Sequence, residues 1–264
     1  VSAAGVREGA GELTDGVVMG SELQRAQEFS DRLAELFGAD LQAVVLYGSA
    51  ARGSFREGVS DLNLLVLLRE VDAEVLRRGS PLARRWTEAG NRPPLLLGVE
   101  EWRRSADVFP IEAADIQDAH RVLWGGDPFQ GLHIDREHLR LQCEHELKAK
   151  QIVLRERYLL SAGEPTELGA LLQESLSTFL VLFRTLLRLV GVEVPAEPGR
   201  LIDRAAEQAG FDPGAFHRVL RARDTGTPLR PAADDPVATG YLDAVSAAAR
   251  FVDRLGNRPA ETHP

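Results

Sequence analysis

Residues 41–68 read LQAVVLYGSAARGSFREGVSDLNLLVLL and hold the densest group of chemistry-bearing side chains in the 264-residue chain. An apolar run ends at Tyr47 and gives way to Gly48-Ser49. Eleven residues intervene before Asp61, which opens a second apolar run and has Asn63 two positions on. Gly48 lets the backbone turn tightly and approach a phosphate with no Cβ in the way. Ser49 adds a hydroxyl, and the amides after it, at the start of an expected short helix, point at an anion. Arg52, one turn on, can neutralise phosphate oxygens. In a strand opened by Asp61, alternation puts Asp61 and Asn63 on one face. Mg²⁺ takes oxygen ligands, typically a few carboxylates completed by substrate phosphates. The segment therefore describes a way to hold a nucleoside triphosphate and Mg²⁺, with Asn63 standing where a second carboxylate would serve better. One unit-charge contact at about 4 Å is worth about 4 kcal/mol at an effective dielectric of 20, and losing half of it slows the chemistry about 30-fold.

The elements that must position these groups follow from periodicity. Residues 21–37 predict an amphipathic helix, with Leu23, Ala26, Phe29, Leu33 and Leu36 at spacings of three and four and Gly38 as its stop. Leu41–Tyr47 and Asp61–Leu68 read as buried strands, joined through a turn with a short helix over Gly48–Gly58. Then come a helix over 71–90, a short strand over 94–98 and a helix over 100–106. Val108–Ile116 reads as a third acid-bearing strand, which Pro110 places at an edge or bend. Val122–Trp124 closes the sheet.

Past residue 134 strand signals vanish. Asp135 can cap a helix running to about residue 160, with Glu137 near its positive end. Residues 166–190 carry a seam of Leu172, Leu176, Phe179, Phe183, Leu186 and Val190. Helices over 198–209 and 212–223 and a Pro- and Asp-rich loop follow. A last helix over 237–255 carries Tyr241, Val245, Ala248, Val252 and Leu255.

The residues Tyr47-Gly48-Ser49 and Asp61-Leu62-Asn63, within GSAARG and SDLNLLV, resemble the nucleotidyltransferase family with a polymerase-β-like palm. The likeness is greatest to the minimal and the aminoglycoside nucleotidyltransferases. The resemblance implies an α+β fold: a palm with a mixed sheet over 21–132, then an all-α helical bundle over 133–258, flanked by a disordered or non-native extension at 1–20 and a tail at 259–264. It implies nucleotide contacts from Gly48, Ser49 and Arg52, Mg²⁺ ligation by Asp61, Asn63 and a third carboxylate, and catalytic roles for Asp61 and that carboxylate. Glu112 is the candidate for the third, with Asp107 and Asp115 as rivals. The implied activity is transfer of a nucleoside monophosphate from a Mg-nucleotide to a hydroxyl of a small molecule or a protein. Because Asn63 replaces a carboxylate, the alternative is a weakened or inactive module that binds nucleotide or a partner.

Composition narrows the partners. A formal net charge of −9, with basic residues scattered among acidic ones, argues against tight sequence-independent binding to nucleic acid. Cys143 is the single cysteine, so an intrachain disulfide or a cysteine metal cluster is excluded, and cytosol is the expected compartment. The most apolar run, residues 179–192, is interrupted by Arg184 and Arg188 and is too short and charged to span a bilayer. Residues 1–20 lack the pattern of a signal peptide, and the expected start is either Val1 or Met19, the only methionine. The predominance of Arg over Lys, with abundant Ala, Gly and Leu, suits a GC-rich bacterial genome. The apolar seam helices cover one another within the chain or extend a homodimer interface.

Other groups give weaker signals. His138 and His145 lie two turns apart, about 10 Å at 1.5 Å per residue, and cannot share a metal. Arg140 and His145 have a spacing seen in helical-bundle ribonucleases, which chance explains in so arginine-rich a chain. Arg56 reads as a solvated arginine. Glu144, Glu146 and Glu174 are the bundle carboxylates that a general-base role would draw on.

Overall fold

β1 (Leu41–Tyr47) and β2 (Asn63–Leu68) pair antiparallel at the centre of a four-stranded sheet of order β3-β2-β1-β4. The structure, a computed structural model, describes residues 21–55, 60–161 and 163–256. β3 (Leu95–Gly98) runs parallel to β2, and β4 (His120–Gly125) antiparallel to β1. The two central strands read as near-continuous apolar runs because helices cover both faces of the sheet.

One face carries Val44, Leu46, Leu64, Val66 and Leu68, which pack against α1 (Ser21–Phe37) and α2 (Ala73–Glu88). Their contacts there are Ala26, Phe29, Leu33, Phe37 and Trp86, with the Phe29 and Trp86 rings 4.4 Å apart. Asp72 caps α2 by accepting from the Val75 amide at 2.8 Å. The opposite face carries Ala43, Val45, Leu65 and Leu67. These meet Trp102 of α3 (Val99–Ser105), Ala113 and Ile116 of α4 (Pro110–Asp118), and Phe129.

α4 corrects the sequence reading, which expected a strand over 108–116. Pro110 stands at the first helical turn, where its missing N–H costs nothing, so it starts a helix and does not bend a strand. The helical period is hidden because α4 is buried on two sides. Ala113 and Ile116 face the sheet, while Ile111 and Ala114 join the core of the helical part.

That helical part comprises α5 (Arg136–Ser161), α6 (Pro165–Leu189), α7 (Pro198–Ala209), α8 (Gly214–Asp224) and α9 (Pro236–Gly256). Asp135 caps α5, accepting from the amides of Glu137 and His138 at 2.8 and 3.0 Å. Leu172, Leu176, Phe179, Phe183 and Leu186 of the α6 seam are fully buried against α5, α7, α8 and α9. Phe216 of α8 stacks on Tyr241 of α9, with centroids 4.1 Å apart. Each such side chain contributes about 1.5–3 kcal/mol on leaving water. α6 is the one described helix long and apolar enough to cross a membrane, and it forms the centre of this core.

Candidate active site

At one end of the sheet β1 stops while β2, β3 and β4 begin. Tyr47 pairs there with Asn63 on one side and His120 on the other. Gly48 then turns the chain with φ +79°, a left-handed conformation that side-chain-bearing residues rarely adopt. A Cβ at this position would lie 2.9 Å from Asn63 Nδ2, so the Asn63 amide packs directly over Gly48. The Arg52 amide donates to the Gly48 carbonyl at 3.0 Å and the Ser54 amide to the Ser49 carbonyl at 2.9 Å. The expected short helix is thus a pair of turns over residues 48–53 among the described residues. Arg56 lies outside them.

Alternation fixes the direction of the functional groups. Leu65, Leu67 and Val45 face α4, so Asn63 and Tyr47 project on that same face. Asp61 comes just before β2 and is 38 % exposed. Its Oδ2 lies 2.9 Å from Nε of Arg92, whose side chain is 73 % exposed. Asn91 holds the two segments together: its Oδ1 accepts from the Leu62 amide at 3.5 Å, and its Nδ2 donates to the Trp86 carbonyl at 3.2 Å. The strand beside β2 is β3, in register Leu65 with Leu95, and its residues are Leu95, Leu96, Leu97 and Gly98. The carboxylate expected on a neighbouring strand is absent from it, and Arg92, three residues ahead of β3, meets Asp61 instead.

Glu112 stands exposed on α4, the helix that covers this face of the sheet. Its Oε2 accepts from Gln142 Nε2 at 3.2 Å, while Gln142 Oε1 accepts from the Ile111 amide at 2.8 Å. Burial pushes the Tyr47 phenol above its ordinary pKa. The charge of Arg92 opposes that rise, and those of Asp115 and Glu112 add to it. Tyr47 therefore lies within electrostatic reach of groups from the sheet and from α4. Of the rivals to Glu112, Asp107 is exposed in the turn after α3.

Asp115 is committed elsewhere. It meets Arg52, Arg184 and Arg188 at 3.0, 2.7 and 3.1 Å. Burial raises its carboxyl pKa, but the three guanidinium groups outweigh burial and hold it at about 2. Arg188 also binds Asp118 at 2.5 Å. Burial is likewise the leading effect on Arg52, lowering its pKa, and the Asp115 carboxylate counters it. The candidate phosphate contact is thus the strut between the Gly48-Ser49 turn and the helical part. Arg184 and Arg188 had a legible signal: two arginines four residues apart, interrupting an apolar helix, imply a buried acidic partner.

Among the described residues, no three His, Cys, Asp or Glu side chains converge as a ready-made metal site. Asp61 and Asn63 offer oxygen donors at the strand end, and α4 over that face adds the exposed Glu112 carboxylate. That set fits a single Mg²⁺ carried in on a nucleotide, whose phosphates complete the shell, and does not fit an ion pair held by protein alone. The bundle carboxylates proposed as bases are all paired. Glu144 accepts from Arg140 at 2.8 Å and Lys148 at 2.6 Å, Glu146 lies 3.6 Å from Lys150, and Glu174 binds Arg157 at 3.0 Å. His145 is exposed and lies 3.5 Å from Glu146, a neighbour that gives no support to a ribonuclease site.

Comparison with known proteins agrees with this architecture. Residues 26–112 match the family described as nucleotidyltransferase domain. The solved structure of the spectinomycin adenyltransferase AAD(9) from Enterococcus faecialis with ATP and spectinomycin superposes with a TM-score of 0.55 at 12 % identity, covering 85 % of this chain and 98 % of that one. A toxin–antitoxin structure with AMP-PNP matches 49 % of this chain and 96 % of its own at 18 % identity, but with a TM-score of only 0.29. A tri-AMPylated Shewanella oneidensis HEPN toxin in complex with MNT antitoxin matches 50 % and 96 % at 17 % identity and a TM-score of 0.27. The last two likenesses are too low to support a shared overall fold. No curated protein matches the chain in sequence.

Proposed function

This chain carries a nucleotidyltransferase domain, and from that premise we propose that it transfers a nucleoside monophosphate from a nucleoside triphosphate to a hydroxyl acceptor, at a rate held down by Asn63. The observation that carries the reading is the Gly48 turn at the end of β1 with Asn63 and Asp61 beside it, under the helix that bears Glu112. Gly48 and Ser49 would meet the triphosphate through backbone amides and a hydroxyl. Asp61 and Asn63 would hold Mg²⁺ with the phosphates, and Glu112 would complete the donors. The ion supplies charge neutralisation for the triphosphate and its departing pyrophosphate. In the transfer, the acceptor oxygen attacks the α-phosphorus, the bond from that phosphorus to the β-phosphate oxygen breaks, and pyrophosphate leaves. Glu112 would take the acceptor proton. A small hydroxylated acceptor is the favoured class, since the structural neighbour of like length was solved with ATP and spectinomycin.

The second reading is a nucleotide-binding or partner-binding module without turnover. It is favoured by the Arg92–Asp61 pair, which engages the one acidic side chain at the strand end. Calorimetric titration with a non-hydrolysable ATP analogue and Mg²⁺, followed by a nucleotidyl-transfer assay, separates the readings. Transfer that disappears in Asp61→Ala supports the first, binding without transfer supports the second, and absence of binding ends the first and leaves of the second only a partner-binding module.

A further inference from the structure

We propose that Arg92 is a phosphate-binding residue of this site, held on Asp61 until a nucleoside triphosphate displaces it. The inference rests on the nucleotide-site reading above. Arg92 meets Asp61 through Nε alone, and among the described residues its two terminal nitrogens have no protein partner. The side chain is 73 % exposed, so it can swing with little packing lost. Its backbone is nevertheless fixed: Asn91 ties the segment to Leu62, next to Asp61, and to Trp86 of α2. A long cation anchored at its base and loose at its tip, at the rim of a Gly-Ser turn, matches what a triphosphate needs from protein. Guanidinium recognises phosphate oxygens through paired, charge-assisted hydrogen bonds.

Charge supports the same conclusion. A strand end bearing two or three carboxylates repels a triphosphate until cations arrive. Here Asp61 is balanced by Arg92, and Asn63 adds no charge. Deeper in the cleft, Asp115 and Asp118 are matched by Arg52, Arg184 and Arg188. The anion therefore meets these carboxylates already matched, with the exposed Glu112 of α4 left to oppose it, and Arg92 supplies part of the neutralisation that the missing carboxylate would have recruited as metal.

Arg92→Ala makes two measurements move in opposite directions. Removing Arg92 frees Asp61, so Mn²⁺ alone, followed by its paramagnetic resonance signal, binds at least about threefold more tightly than to wild type. The same variant loses a charged phosphate contact, so the ATP analogue, titrated calorimetrically with Mg²⁺, binds about tenfold more weakly. Arg92→Lys restores most of the nucleotide affinity. An unchanged melting curve confirms that the exposed substitution leaves the fold intact. If Arg92→Ala binds the analogue as tightly as wild type does, this proposal falls while the nucleotide site stands. If wild type binds no analogue at all, both fall.

Discussion

Arg52 reaches from the turn after Gly48-Ser49 to α4, 63 residues away, and its guanidinium donates to the Asp115 backbone carbonyl at 2.7 Å and meets its carboxylate at 3.0 Å. Asp115 in turn is gripped by Arg184 and Arg188 of α6. The turn that would cradle phosphate is therefore positioned by the core helix of the bundle.

Asp115→Asn tests that strut. The substitution leaves three arginines around an uncharged amide, and breaking a buried ion pair in this way costs about 3 kcal/mol or more. Urea unfolding should show an unfolding free energy lower by that amount, seen as a lower midpoint at an unchanged slope. The pH dependence carries the same signature. The folded carboxyl titrates at about 2, below the ordinary 3.8. Its contribution, on the order of 2 kcal/mol, is fully present above pH 4 and is lost as pH falls through 2. A wild-type stability profile flat from pH 5 to pH 2 would contradict the pairing.

Gly48→Ala should damage the site more than the fold. A left-handed conformation costs a non-glycine residue about 1–2 kcal/mol, and the new methyl would collide with Asn63 Nδ2, 2.9 Å from where it must sit. Nucleotide affinity measured by calorimetry should fall at least about tenfold, with a loss of stability of about 1–3 kcal/mol.

Asn63→Asp should restore the missing charge. Transfer with Mg²⁺ is expected to rise about 10- to 30-fold, the converse of the electrostatic loss estimated for the amide. The gain should vanish when Asp61→Ala is added. A double variant that keeps the gain would remove Asp61 from the metal's ligands.

Cys143 offers a check on the bundle that is independent of the nucleotide. It is fully buried between α5 and its neighbours, and burial pushes its thiol up to about 12. A thiol reagent at pH 8 should leave it unmodified in the native protein, with reaction appearing only across the unfolding transition. Rapid native labelling would show that α5 does not pack as described.

Much of the fold is legible in the residues. Leu172 through Leu186 announce α6 because a single buried stripe keeps the helical period visible, and Leu41–Tyr47 announces β1 because helices cover it on both faces. The Gly48 turn was legible because turn chemistry is local, whereas the strand read from Asp61 begins only at Asn63. α4 was not: Val108, Phe109, Pro110 and Ile111 mimic an edge strand, and burial against two cores at once erases the amphipathic pattern. Arg92 with Asp61, and Arg52 with Asp115, were out of reach for a different reason. They join positions 31 and 63 apart, and one sequence carries no signal for which distant charges meet.

The double burial of α4 also limits how the protein can be cut or recombined. Ile111 and Ala114 belong to the bundle's interior, while Ala113 and Ile116, on the same short helix, belong to the sheet's. An excised sheet portion would expose the first pair to water and strip Asp115 of two of its three arginines. Grafting a foreign bundle would need both the apolar match and the arginine pair. α6 and α4 must therefore be kept together.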